Sequence, residues 1–174
     1  MVLDQRRHDW LNQRGHLGLP ESAANTIDTL RRIFLALGGD ESLLAQARTT
    51  ALPNDYFHEP TSTLVEVDEF QHFTSHRLIT LSMYPDNVVL GFDREQYIGL
   101  CTQTSARADR YRATKDAKCF GEGGRQRQRA YHDALRDLAA PALGHTGVIR
   151  APALDQDGAA AWRAVWHRLP APRH

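Results

Sequence analysis

The chain is 174 residues long, 41% of them hydrophobic and 24% charged, and its 21 Lys and Arg balance its 21 Asp and Glu. That length and apolar content exclude a disordered chain and suit one globular domain over 1–174. No run of about 18 apolar residues is available to span a membrane, and the start, polar by Asp4, has no secretory pattern. Two cysteines, Cys101 and Cys119, are too few for a disulfide framework and form no Cys-x-x-Cys knuckle, so a cytoplasmic protein without a membrane partner is expected.

In chain order, Ile27, Leu30, Ile33, Phe34 and Leu37 recur at helical spacing and predict a helix over about 24–37. Asn25 and Asp28 stand where they can cap its exposed amides, and Gly38-Gly39 stops it. The β-branched, alternating run from Thr63 predicts a strand over Leu64 to Asp68. Positions two apart share a face of a strand, so Glu66 and Asp68 point one way while Val65 and Val67 point the other, beneath a helix. Next come an expected strand at Val88 to Phe92, a short helix near Arg94 to Gln103 and a Gly-rich turn at Gly121 to Gly124.

Tyr131, Ala134, Leu135 and Leu138 then form an amphipathic helix closed by Pro141, and Val148-Ile149 a short strand. Trp162, Val165, Trp166 and Leu169 form a last helix closed by Pro170, before a tail, 169–174, that reads as frayed. Trp10, Trp162 and Trp166 read as core or interface packing. The order strand, helix, strand, helix predicts an α/β sandwich around a central mixed sheet.

The chemistry concentrates around Glu66. Glu66 and Asp68 share a strand face, and Asp55 lies where a preceding hairpin arm would pass, so three acids can converge as oxygen ligands for Mg²⁺. Gln71 and His72 follow at the strand's end, adding a polar amide and a titratable imidazole that can serve as a base. A single Glu-x-Asp pair is ordinarily solvated surface. The density of Glu66, Asp68, Glu69, Gln71 and His72 within seven residues argues for a site instead. His72 and His76 have zinc-like spacing but no second pair to complete four ligands.

Three stretches carry a resemblance: Leu30 to Gly39, Asn54-Asp55-Tyr56, and Leu64-Val-Glu-Val-Asp-Glu-Phe-Gln-His-Phe73. Together with Tyr131-His-Asp-Ala-Leu-Arg-Asp137 and Gly147-Val-Ile-Arg150, they resemble small bacterial nucleases related to the very-short-patch repair endonuclease, within the PD-(D/E)xK restriction-endonuclease-like superfamily. The resemblance covers about 25–73 and 126–152 and is most specific from Glu66 to His72. It implies a restriction-endonuclease-like α/β/α sandwich and a Mg²⁺- or Mn²⁺-dependent endonuclease acting on DNA, in repair or phage restriction, and leaves a homodimer open. It places Asp55 and Glu66 as metal ligands, Asp68 where many members have a lysine, and Gln71 and His72 as auxiliary polar groups. Glu69 stands where the relatives have Gly, and about 74–125 reads as an insertion where they have a short link.

That insertion gathers charge. From Arg107 to Arg129, eight cations (Arg107, Arg110, Arg112, Lys115, Lys118, Arg125, Arg127 and Arg129) face three acids, a local excess of +5 suited to phosphates. Tyr111 and Phe120 within the run are placed either to stack on bases or to turn into the core. The sequence reading is therefore a metal-dependent endodeoxyribonuclease with Asp55, Glu66, Asp68, Gln71 and His72 at its centre. The alternative is a catalytically inactive nucleic-acid-binding module of the same fold, favoured by the missing lysine.

Overall fold

The computed structural model describes residues 3–171. Three strands form a mixed sheet in the order β1-β2-β3: β1 (Tyr56–His58), β2 (Thr63–Glu69) and β3 (Ile149–Ala153). β1 runs antiparallel to β2, with Tyr56 opposite Val65, and β2 runs parallel to β3, with Glu66 opposite Arg150 and Asp68 opposite Pro152. Six helices accompany them among the described residues: α1 (Ala24–Ala36), α2 (Glu41–Ala45), α3 (Ser75–Ser82), α4 (Arg94–Ala108), α5 (Arg125–Ala142) and α6 (Gly158–Val165).

The alternation of β2 divides the helices between two faces. Val65, with Val67 partly buried beside it, packs with Ile149, Ala151 and Ala153 beneath Ala161 and Val165 of α6. Leu64, on the other face, meets Ala140 of α5. Behind α5 lies the larger core, where Leu30, Ile33 and Phe34 of α1 pack on the Tyr131, Ala134, Leu135 and Leu138 stripe, and Phe34 and Tyr131 meet edge to face at 5.0 Å. Leu81, Tyr84, Phe92, Tyr97, Cys101 and Phe120 join the same cluster, so the segment read as an insertion is built into this core.

Several boundaries depart from expectation. α1 has Ala23 as N-cap, following a 3₁₀ turn at Glu21–Ala23, and no side chain caps it; Asn25 and Asp28 lie inside the helix. Gly38, at φ +74°, does end it. Val88 to Phe92 is irregular and forms no strand, because Gly91 crosses directly over β3's entry: a Cβ there would lie 2.5 Å from the carbonyl oxygens of Gly147 and Val148. The helix at Arg94 runs five residues further than expected, to Ala108. Pro141 lies within α5, and the chain turns only at Gly144, φ +84°. The last helix stops at Val165, followed by a 3₁₀ turn over Trp166–Arg168 that leaves Trp166 55% exposed. The end of the tail, 172–174, lies outside the described residues.

Candidate active site

The β1–β2 hairpin brings Asp55 beside Glu66. The Asp55 carboxylate accepts a hydrogen bond from Val67 N–H at 2.8 Å, occupying the edge of β2 beyond the end of β1, and Asp55 N–H approaches Glu66 Oε1 at 3.4 Å. Glu66 is buried but lines an open cleft of about 1290 Å³. Its neighbour on α5 is Arg136, whose Nε stands 3.3 Å from Oε1 without hydrogen-bond alignment. Among the described residues, Oε2 of Glu66 has no hydrogen bond, so a buried carboxylate faces the cleft with accepting capacity unspent. Burial pushes its pKa up to about 7, against the pull of Arg136 and Arg150.

Asp68 shares the face of Glu66 but not its surroundings. It is 1% exposed and does not line the cleft. Arg150 Nη1 donates to both of its oxygens at 2.9 Å, and the Tyr97 hydroxyl donates to Oδ2 at 3.0 Å. Arg150 Nε continues to Asp137 Oδ1 at 2.8 Å, and Asp137 Oδ2 takes Arg77 Nη2 at 2.6 Å and the Tyr84 hydroxyl at 2.7 Å. His72 closes the web: its Nδ1 lies 3.1 Å from Asp133 Oδ2 and 3.3 Å from Asp68 Oδ1. Three carboxylates thus face Arg77, Arg150 and one imidazole, and the group is neutral when His72 is protonated. Burial opposes that proton, but Asp133 and Asp68 outweigh it and hold the pKa of His72 above its ordinary value.

Asp68, His72 and Asp133 bring one ligand atom each within 4.8 Å of one another, a spacing that suits a cation. A cation is already there: Arg150, with Nη1 2.9 Å from both Asp68 oxygens and Nη2 3.5 Å from Asp133 Oδ1. Of the expected trio, Asp55 and Glu66 line the cleft and Asp68 does not, so the trio divides between two environments.

The same cleft also carries cations. Arg48, Lys118, Arg125, Arg129 and Arg136 line it together with Gln71, His72 and His132, and Arg125, Arg129 and Arg136 come from α5, which packs on the Glu66 face of β2. Arg129 also donates to the Gln71 carbonyl at 3.2 Å, and the Gln71 amide donates to Glu69 at 2.8 Å. Of the expected basic run, only Lys118, Arg125 and Arg129 line the cleft. Arg107 lies over the Phe70 ring at 4.4 Å, Arg112 over Tyr111 at 5.2 Å, and Arg110 and Lys115 are exposed elsewhere. Arg127 donates to the carbonyls of Phe120 and Glu122 at 2.7 and 2.8 Å and fastens the turn before α5. In that turn Asp116 accepts from Gly123 N–H at 3.0 Å, a position a phosphate would otherwise need.

Sequence reasoning assigned no role to Asp133, Arg136, Asp137, Arg150 or Arg77. A signal existed for the first three: they fall at i, i+3 and i+4 on a helix that also carries an apolar stripe, so their side chains share one face and need partners. His132, one position off that face, is kept neutral with a pKa near 3 by burial and by Arg136.

No curated protein and no solved structure matches this chain. A family model matches residues 32–169, most of the length and all of the cleft's acids, and the chain therefore belongs to the family of unknown function DUF7255.

Proposed function

We propose that this protein is a divalent-metal-dependent nuclease that hydrolyses phosphodiester bonds, with DNA as the expected substrate and DNA repair or phage restriction as its setting, on a restriction-endonuclease-like α/β/α sandwich. The observation that carries the reading is Glu66: a buried carboxylate that lines a cleft, with Asp55 beside it and Lys118, Arg125 and Arg129 lining the same cleft. Mg²⁺ favours a site of one or two carboxylates that leaves room for water and phosphate oxygens, and Asp55 with Glu66 fits that donor set. Asp68 does not, because Arg150 and Tyr97 already occupy its oxygens.

The ion would supply Lewis acidity toward a phosphoryl group and make water a stronger acid at neutral pH. The chain's own residues do the rest. Arg125, Arg129 and Lys118 bind phosphates flanking the cut. Arg136 fixes the acids' relative position: its Nη2 donates to the Pro53 carbonyl at 2.6 Å, tying the chain that carries Asp55 to the helix facing Glu66. His72, whose protonated form the two aspartates favour at the cleft's edge, offers a proton to the leaving oxygen. A nucleic-acid-binding module without cleavage is the second reading. It is favoured by Asp68, which stands at the lysine's place and brings no free charge to the cleft.

The test incubates mixed DNA and RNA with the protein in Mg²⁺, Mn²⁺ or EDTA. Cleavage that EDTA stops and that Glu66→Gln abolishes supports the nuclease. Binding without cleavage in any metal supports the second reading.

A further inference from the structure

The cleft does not end at the carboxylates. The β1 ladder ends at Tyr56, opposite Val65, so beyond Val65 the edge of β2 that faces away from β3 has no strand beside it, and the cleft passes round this edge to the α6 face of the sheet. There its lining changes from cations to Tyr56, Val65, Val67, Gly158, Ala159 and Trp162. Register explains the gathering. Residues directly opposite in an antiparallel ladder share a face, so Tyr56 lies on the side of Val65, and Val67 follows two positions on. Trp162 of α6 packs against the same Val65 cluster. The helix begins with Gly158 and Ala159, and a Cβ at Gly158 would lie 3.5 Å from Val67 Cγ1, so this end of the cleft is floored closely by small groups. Tyr56 keeps 39% of its surface exposed over it.

We propose that this apolar end is a stacking subsite for an unpaired nucleobase adjoining the phosphate addressed by Asp55 and Glu66, and that the substrate class is single-stranded nucleic acid or a duplex with unpaired nucleotides. The inference rests on the nuclease reading. Its basis is the asymmetry of one continuous cleft across the edge of β2: Arg125 and Arg129, which match a phosphate backbone, come from α5 on the Glu66 face, whereas Tyr56, Val65, Val67 and Trp162, which match the face of a base, gather on the α6 face. A base inside a duplex is stacked above and below, so it must leave the stack before it can lie on Tyr56 or Trp162. The aromatics within the basic run do not serve this purpose. Phe120 is buried against Phe34 and Tyr131, and Tyr111 packs edge-on against Phe70.

The experiment uses labelled oligonucleotides of one sequence in three forms, single-stranded, fully paired, and paired around an unpaired stretch, with Mg²⁺ or Mn²⁺. The parent should cut the two forms with unpaired bases about tenfold faster than the fully paired one. Tyr56→Ala should slow cutting of those forms by about 5- to 150-fold, the range for loss of one base–aromatic stack, and Tyr56→Phe should restore it. Equal cutting of all three forms, or a Tyr56→Ala protein that behaves as the parent, overturns the subsite and leaves the nuclease standing. If the parent cuts none of them, the nuclease reading falls, and anisotropy of labelled oligothymidylate in EDTA decides the subsite. Binding that Tyr56→Ala weakens by that factor supports it; absent or unchanged binding overturns it. Tyr56 lies outside the buried clusters, so its replacement leaves the core in place.

Discussion

Arg150 meets Asp68 through a single nitrogen, Nη1, placed 2.9 Å from both carboxylate oxygens, while its Nε reaches Asp137 and its Nη2 the Asp133 carbonyl. Neither side chain is more than 1% exposed. Removing one member of such a pair strands the other in a medium that solvates charge poorly. Asp68→Ala should therefore destabilise the protein by about 3–5 kcal/mol. Urea unfolding measures the loss, and Mg²⁺ titration of the fraction still folded should give the parent's affinity; lost metal binding with intact stability would return Asp68 to the metal site.

Glu66 should behave in the opposite way. Its folded pKa of about 7 lies above that of an unfolded glutamate, so the folded protein holds this proton more tightly. Stability then falls as pH rises from about 4.5 to 7 and levels off above, a cost of about 3 kcal/mol at most. Glu66→Gln should remove that slope, be at least as stable as the parent at pH 8, and show no metal-dependent cleavage. In the parent, Mg²⁺ affinity should rise with pH up to about 7, because ion and proton compete for one carboxylate; calorimetry at pH 6 and pH 8 reads the difference.

His72 titrates in the other sense. Its folded pKa is raised, so its contribution to stability is full below about 6.5 and disappears as pH rises through the folded value. His72→Gln should therefore cost more stability at pH 6 than at pH 9, and should lower turnover without changing Mg²⁺ affinity. The ring's NMR titration should show a midpoint above 6.5; a midpoint below it would remove the proton-donor role.

The basic run should separate into two kinds of arginine. Arg127→Ala should cost about 1–2 kcal/mol in thermal unfolding, since its hydrogen bonds to the Phe120 and Glu122 carbonyls close the turn before α5. Arg48, Lys118 and Arg125 are exposed along the cleft, and replacing each by Ala should leave stability unchanged. Each should also reduce the slope of log K against log salt by about 0.7–0.9 if it contacts a phosphate. An unchanged slope in all three would place the nucleic acid on another surface.

Periodicity made the frame legible. The apolar spacing from Ile27 to Leu37 and from Tyr131 to Leu138, and the alternation from Leu64 to Asp68, follow directly from which faces those elements bury. The same alternation put Glu66 and Asp68 on one face but could not tell their fates apart, because Arg150 lies 82 residues beyond Asp68. Val88 to Phe92 has the composition of a strand but passes β3 as close backbone at Gly91, with no ladder to join. The alternation of Arg125, Gln126, Arg127, Gln128 and Arg129 reads as solvated surface, yet Gln126 is 4% exposed and gives its amide to the carbonyls of Ala108, Asp109 and Tyr111. Local pattern sees periods; it does not see a carbonyl cluster left behind by the end of another helix.

Pro152 has a further consequence for how copies of this chain behave at high concentration. Val67 turns its amide toward Asp55, so parallel pairing turns Ile149 and Ala151 toward β2 and leaves Arg150 and Pro152 with their backbone groups outward. The outer margin of β3 thus lacks a donor at its fourth residue. At the opposite margin Phe57 exchanges both backbone bonds with Asp4, and β1 is only three residues long. Neither margin presents the unbroken row of amides and carbonyls on which a neighbouring chain could template itself, which guards so small a sheet against fibrillar growth.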